Sequence, residues 1–205
     1  MKPSEQGEVV VPFRVPRELV RPTTEFKSTW LTASLDALRS RGHFPRYLEN
    51  LPPENHEPIL RSIAGTWIPV EVCIAHYRAC NALGLSIPEQ LQMGRAVLDR
   101  LRKTIFSVAF RIVREAGVTP WTMLKTFPSE LERQWRGGAC GIFRLGPKDA
   151  RMELIGFPVA AIPYARIALR GMTIGLCELV CNKCYVRDVR ELCTATSIAY
   201  RVAWA

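Results

Sequence analysis

The order of elements along the chain predicts an α+β domain: an N-terminal helical layer packed on a C-terminal, mainly antiparallel four-stranded sheet with one inserted helix. Three observations carry that expectation. Apolar residues recur at three- and four-residue spacing through the first two thirds of the chain. After Gly137-Gly138 the pattern changes to short runs. Two of those runs flank Gly146-Pro147-Lys148-Asp149, which has the composition of a hairpin turn.

Residues 1–25 contain Pro3, Pro12, Pro16 and Pro22 without a helical period, which predicts an extended arm lying on the surface of a single domain over 26–205. The first helix starts at Ser28, a capping residue, and places Trp30, Leu31, Leu35 and Leu38 at helical spacing before Gly42 stops it. Pro52, Pro53 and Pro58 then limit the chain to short helical pieces. A second helix runs from Pro69 to a Gly84 terminator with Val72, Ala75, His76 and Ala79 on one stripe. The strongest period runs from Pro88 to Gly117, where Leu91, Leu98, Leu101, Ile105, Val108 and Ile112 form an apolar face and arginines occupy the other side. A further helix over Thr119–Gly138 is kinked at Pro128.

The second part begins with strand runs 139–145 and 150–156. A helix over 163–180 follows, with Tyr164, Ile167, Ala168, Met172, Gly175 and Leu179 facing inward. Two strands close the chain, and the last puts Ile198, Tyr200, Val202 and Trp204 on one face by strict alternation.

With 205 residues, 48% hydrophobic and 23% charged, the chain can bury a sizeable core and is neither disordered nor collagenous. Its most apolar stretch, Leu154 to Cys181, carries Pro158, Pro163, Arg166, Arg170 and Glu178, so it reads as a buried segment rather than a membrane span. The N-terminus lacks the apolar core of a secretory signal, and the cytoplasm is the expected location. Twenty-eight Lys and Arg against nineteen Asp and Glu leave a net charge of +9. Those charges are spread over several segments without interleaved aromatics, which disfavours a nucleic-acid partner and leaves a membrane surface open as one.

Two groups of residues have the chemistry of a site. Cys177, Cys181, Cys184 and Cys193 include a Cys-x2-Cys pair and are four thiols, the number a tetrahedral zinc site needs. The alternative is that they pack as small core hydrophobes. His76 lies near an apolar stripe between Cys73 and Cys80, where a metal contact or axial haem ligation competes with an ordinary core histidine. Zinc is therefore admissible as a cofactor and haem is disfavoured. Nucleotide-binding glycine motifs, a nucleophile elbow and an acid/base pair of carboxylates are all absent from the sequence.

Leu51-Pro52-Pro53, Trp67-Ile68-Pro69 and the closing Tyr200-Arg201-Val202-Ala203-Trp204 resemble a family of uncharacterised proteins abundant in myxobacteria. The segment from Gly171 to Trp204 also resembles the end of the wider superfamily of 4-vinyl-reductase-type ligand-binding domains and TRAPP core subunits. In that pattern a glycine-containing helix leads into a strand, a cysteine-containing turn and a last strand. One departure is that Cys193 is followed by Thr194-Ala195-Thr196-Ser197, without the Gly-Asp turn and second cysteine usual in the ligand-binding type.

The resemblance implies a non-enzymatic binding or interaction module that holds a small apolar ligand or a partner protein and forms a homodimer. Phe106, Phe110, Phe157, Tyr164 and Met172 would line the ligand space. The alternative is a small zinc protein or metalloenzyme built on the four cysteines, and the motifs leave the question of catalysis open, weighted against it.

Overall fold

Seven α-helices are seen among the described residues, 7–104 and 118–205, of the computed structural model. They are α1 (Thr29–Ser40), α2 (Phe44–Asn50), α3 (His56–Leu60), α4 (Val70–Ala82), α5 (Ile87–Thr104), α6 (Pro120–Glu132) and α7 (Pro163–Cys177). The strands are β1 (Glu8–Val11), β2 (Glu25–Lys27), β3 (Trp67–Pro69), β4 (Trp135–Arg136), β5 (Ala139–Gly146), β6 (Asp149–Ile155), β7 (Cys184–Asp188) and β8 (Ser197–Trp204). The α+β class holds, while the single four-stranded sheet is corrected to two antiparallel sheets: five strands in the order β1-β5-β6-β8-β7, and three in the order β3-β2-β4.

The additional strands have a common physical reason. β2, β3 and β4 are two or three residues long, too short to show a period of two, and β1 is four residues with Pro12 directly after it. Their pairing is long-range: Phe26 lies opposite both Ile68 and Trp135, and Val9 opposite Phe143. Residues 17–23 are tied to the larger sheet as well. The Thr23 amide donates to the Gly156 carbonyl at 2.7 Å, the Gly138 amide donates to Arg21 at 2.8 Å, and Arg17 Nη1 reaches buried Glu153 at 2.6 Å. Arg151 Nε holds the other Glu153 oxygen at 2.7 Å, so this internal carboxylate has a cation on each side.

Where the periods are long, they match the structure. Trp30, Leu31, Leu35 and Leu38 of α1 are buried, and so are Ile198, Tyr200, Val202 and Trp204 of β8. Pro69 stands at the N-cap of α4, with Trp67 and Ile68 in β3 immediately before it. The Thr119 hydroxyl and Thr122 side chain cap α6 reciprocally. The continuation of the long helix to Gly117, including Ile105, Phe106, Val108, Phe110 and Ile112, falls outside the described residues. No helix among the described residues is long and apolar enough to cross a membrane.

The helical layer meets the sheet layer through α7, which packs on β7 and β8 and, on its other side, on α5. The α5–α7 crossing is close because glycine stands on each helix at the point of approach. A Cβ on Gly94 would run into the Ala168 carbonyl, and one on Gly171 would run into that of Leu91. Removing a glycine from a helix interior normally gains about 1 kcal/mol. At Gly94 the sign reverses, because the obstacle is backbone and the two helices must separate. Gly94→Ala is expected to lower the unfolding free energy by about 2 kcal/mol in urea denaturation, within the usual range for overpacking. A neutral or stabilising result would mean that the helices do not pack this closely.

Candidate functional site

Three elements converge on one internal space. Trp30, Leu31 and Ser34 come from one face of α1, Cys73, His76 and Tyr77 from one face of α4, and Tyr164, Ala165, Ala168, Leu169 and Met172 from α7. The spacings of three, four and seven residues are what a single helical face supplies. Phe26, Trp135 and Phe157 close the remaining side. Trp135 stacks on Phe157 with centroids 4.5 Å apart, and Phe26 meets both rings edge-on at 5.6 Å. Phe26 and Trp135 are cross-strand partners in the small sheet, so β2 and β4 present this aromatic wall. The cavity left between these groups is about 30 Å³.

One edge of the cavity is polar and uncharged. His76, 1% exposed, has its Nδ1 2.9 Å from the Tyr47 hydroxyl and its Nε2 2.9 Å from the Ser34 hydroxyl. Cys80 Sγ sits 3.7 Å from Nε2, one turn further along α4. Burial lowers the His76 pKa to about 3, so the ring is neutral, with one nitrogen donating and the other accepting. Burial also pushes Cys73 up to about 12 and raises Tyr47, Tyr77, Cys80 and Tyr164. All of these groups keep their protons at neutral pH. The cluster can exchange hydrogen bonds, and it supplies neither a thiolate nucleophile nor a charged acid or base.

The structure brings together some of the residues named from sequence and disperses others. Phe157, Tyr164 and Met172 line the cavity. Phe106 and Phe110 lie outside the described residues. Cys177 and Cys184 are buried beside one another, and hydrogen bonding between their thiols, followed by burial, raises the Cys177 pKa. Cys181 points its thiol at the Cys177 and Lys183 carbonyls, whereas Cys193 is engaged with the backbone of Ala199. No group of three or more His, Cys, Asp or Glu among the described residues could hold a metal ion, which corrects the expectation of a four-cysteine zinc site. Spacing counts residues along the chain, while a tetrahedral shell needs convergent sulfur atoms. Sequence reasoning did not bring Trp30, Ser34, Tyr47 and Trp135 to the site. Trp30 and Ser34 share an α1 face, but the opposing wall arises from a two-residue strand with no signal of its own.

No family model matches the chain, and no curated protein is found similar to it. Its similarity to solved structures is one of fold. An Fe(II) unliganded H-NOX protein from K. algicida superposes with a TM-score of 0.65 at 10% identity, covering 87% of this chain and 96% of that one. An oxygen-binding H-NOX domain related to soluble guanylate cyclases gives 0.59 at 13% identity over 87% and 94%. A protein studied for modulation of haem redox potential through porphyrin distortion gives 0.60 at 14% identity over 87% and 99%. The chain therefore has an H-NOX-like fold.

That result overturns two expectations. The resemblance to the myxobacterial family finds no support, and the structural neighbours are H-NOX domains rather than 4-vinyl-reductase-type or TRAPP-like proteins. The short C-terminal succession of helix, strand, turn and strand is common to many α+β folds, whereas the arrangement of the whole chain is more specific. Haem, disfavoured because His76 is a lone histidine on an apolar face, is named in the descriptions of neighbouring structures, so the fold itself gives no ground for setting it aside.

The buried imidazole makes stability depend on pH. Its folded pKa, about 3, lies below the ordinary value of 6.5, so on acidification the unfolded chain takes up a proton that the folded chain refuses. The stability this group contributes is complete above pH 6.5 and falls as the pH drops toward 3. The slope is about 1.4 kcal/mol per pH unit once the unfolded histidine is protonated. Urea denaturation between about pH 6.5 and 5 is expected to show this slope as the difference between the native chain and His76→Gln. Parallel pH curves would mean that the ring is not held neutral in the core.

Proposed function

We propose that this chain is a non-enzymatic binding module with an H-NOX-like fold that holds a small, uncharged molecule in the cavity between α1, α4 and α7. The observation that carries the reading is the cavity itself: an apolar, aromatic-walled space of about 30 Å³ beside a neutral hydrogen-bonding edge. Roughly 10–15 Å³ suffices for one water molecule, and an engineered apolar cavity of about 150 Å³ admits benzene. The space here suits a molecule of a few heavy atoms. Among the lining residues none carries a charge, since His76 is neutral, so an ionised ligand would be desolvated without a counter-charge.

Ligation of a haem iron by His76 would compete with hydrogen bonds that the ring already makes. Both ring nitrogens of His76 are already engaged, with Tyr47 and Ser34. The α5 and α7 backbones meet at Gly94 and Gly171. Ligation by His76 would require one of its hydrogen bonds to break. The small-molecule reading requires no such exchange.

Xenon tests whether the cavity accepts a guest. Pressurising the methyl-labelled protein is expected to give saturable NMR shifts confined to Leu31, Val97, Leu169 and Met172, and Ala165→Val should weaken them several-fold while the unfolding transition stays cooperative. Absence of localised shifts in the native chain would overturn the reading. A sharp Soret band on titration with haemin, lost in His76→Gln, would replace it with haem binding.

A further inference from the structure

Two hydrogen-bond donors in the cavity wall have no acceptor among the described residues. The indole nitrogens of Trp30 and Trp135 are buried without a partner among the described residues, and both side chains belong to the cavity lining. The residues are 7% and 6% exposed, so bulk water does not compensate them. Their rings lie 6.1 Å apart, centre to centre, with planes inclined at 59°. Leaving one buried donor unsatisfied costs about 1–3 kcal/mol, and two such donors at the wall of one cavity are unusual in a folded core.

Several other polar groups at or beside the cavity are paired. Ser34 and His76 satisfy each other, Tyr47 completes the His76 ring, and Tyr164 bonds Cys80. The two buried unpartnered groups in the lining are both donors, contributed by Trp30 of α1 and Trp135 of β4. An acceptor oxygen has two lone pairs and can take both N–H groups, whereas an aliphatic carbon can take neither.

We infer that the cavity selects a compact neutral molecule with an ether or carbonyl oxygen, which accepts hydrogen bonds from the indole N–H groups of Trp30 and Trp135 while its carbon atoms rest on Phe26, Leu31 and Leu169. This deepens the small-molecule reading proposed above and rests on it. The two tryptophans set specificity for an oxygen acceptor, and the apolar wall sets size.

Dimethyl ether and propane separate shape from hydrogen bonding, because they are similar in size and differ by an oxygen in place of a methylene. With tryptophan-labelled protein, dimethyl ether is expected to shift the indole proton signals of Trp30 and Trp135 downfield, saturably, leaving those of Trp67, Trp121 and Trp204 in place. Propane should bind about tenfold more weakly and leave all five indole signals unmoved. Trp30→Phe and Trp135→Phe keep an aromatic ring at each wall and should each reduce the preference for ether over propane several-fold. A preference left intact by both substitutions would overturn the inference. Equal binding of the two gases, with a xenon response retained, would also overturn it while sparing the cavity. Failure of ether, propane and xenon alike would remove the small-molecule reading on which it depends.

Discussion

The backbone contact between α5 and α7 is the constraint on which the remaining arrangement depends. It exists because Gly94 and Gly171 present no side chain where each helix meets a carbonyl of the other. α7 also packs on β7 and β8, and α5 on α1, so this contact joins the helical layer to the sheet layer. Gly94 and Ala168 belong to the cavity lining, and the approach of the two helices thus limits the space above them. A larger residue at either glycine would alter the layer spacing and the cavity together, which is why packing and binding cannot be separated here.

Within that spacing, the core tolerates polar groups because they are neutral and mostly paired. Ser34, His76 and Tyr47 form a relay in which every ring nitrogen has a partner. Burial keeps the imidazole deprotonated and the phenols and thiols protonated, so the cluster orders the junction of α1, α2 and α4 without carrying charge. Trp30 and Trp135 depart from this pattern, and the departure points toward a guest. Glu153 shows the other way to bury a polar group: it is ionisable, and cations from the N-terminal segment and from its own strand enclose it.

The likeness to H-NOX structures extends over 87% of the chain at 10–14% identity, so backbone architecture is shared while most side chains differ. Function resides in the side chains that a fold brings together. In the neighbouring proteins that architecture is described with haem or Fe(II). In this chain the same architecture encloses an aromatic cavity, with both nitrogens of its buried histidine engaged by hydroxyl groups. The thiols of the C-terminal region likewise belong to packing and backbone hydrogen bonds rather than to a metal shell.

The elements legible in the sequence were those long enough to repeat their own pattern. Ser28 to Gly42, the start of the long helix near Pro88, the hairpin around Gly146-Pro147 and the alternation of β8 each contain several periods or a defined stop. Of the cavity, the sequence named Phe157, Tyr164 and Met172 as lining a ligand space, and His76 as a polar residue near an apolar stripe. Tertiary structure alone decided that Phe26 and Trp135 share a short ladder, that Trp30 faces Trp135 across the core, and that four suggestively spaced cysteines do not converge. The physical reason is one of range: periodicity records which side of an element is buried, whereas a site is made where the buried sides of distant elements meet, and that meeting is set here by a glycine contact between α5 and α7.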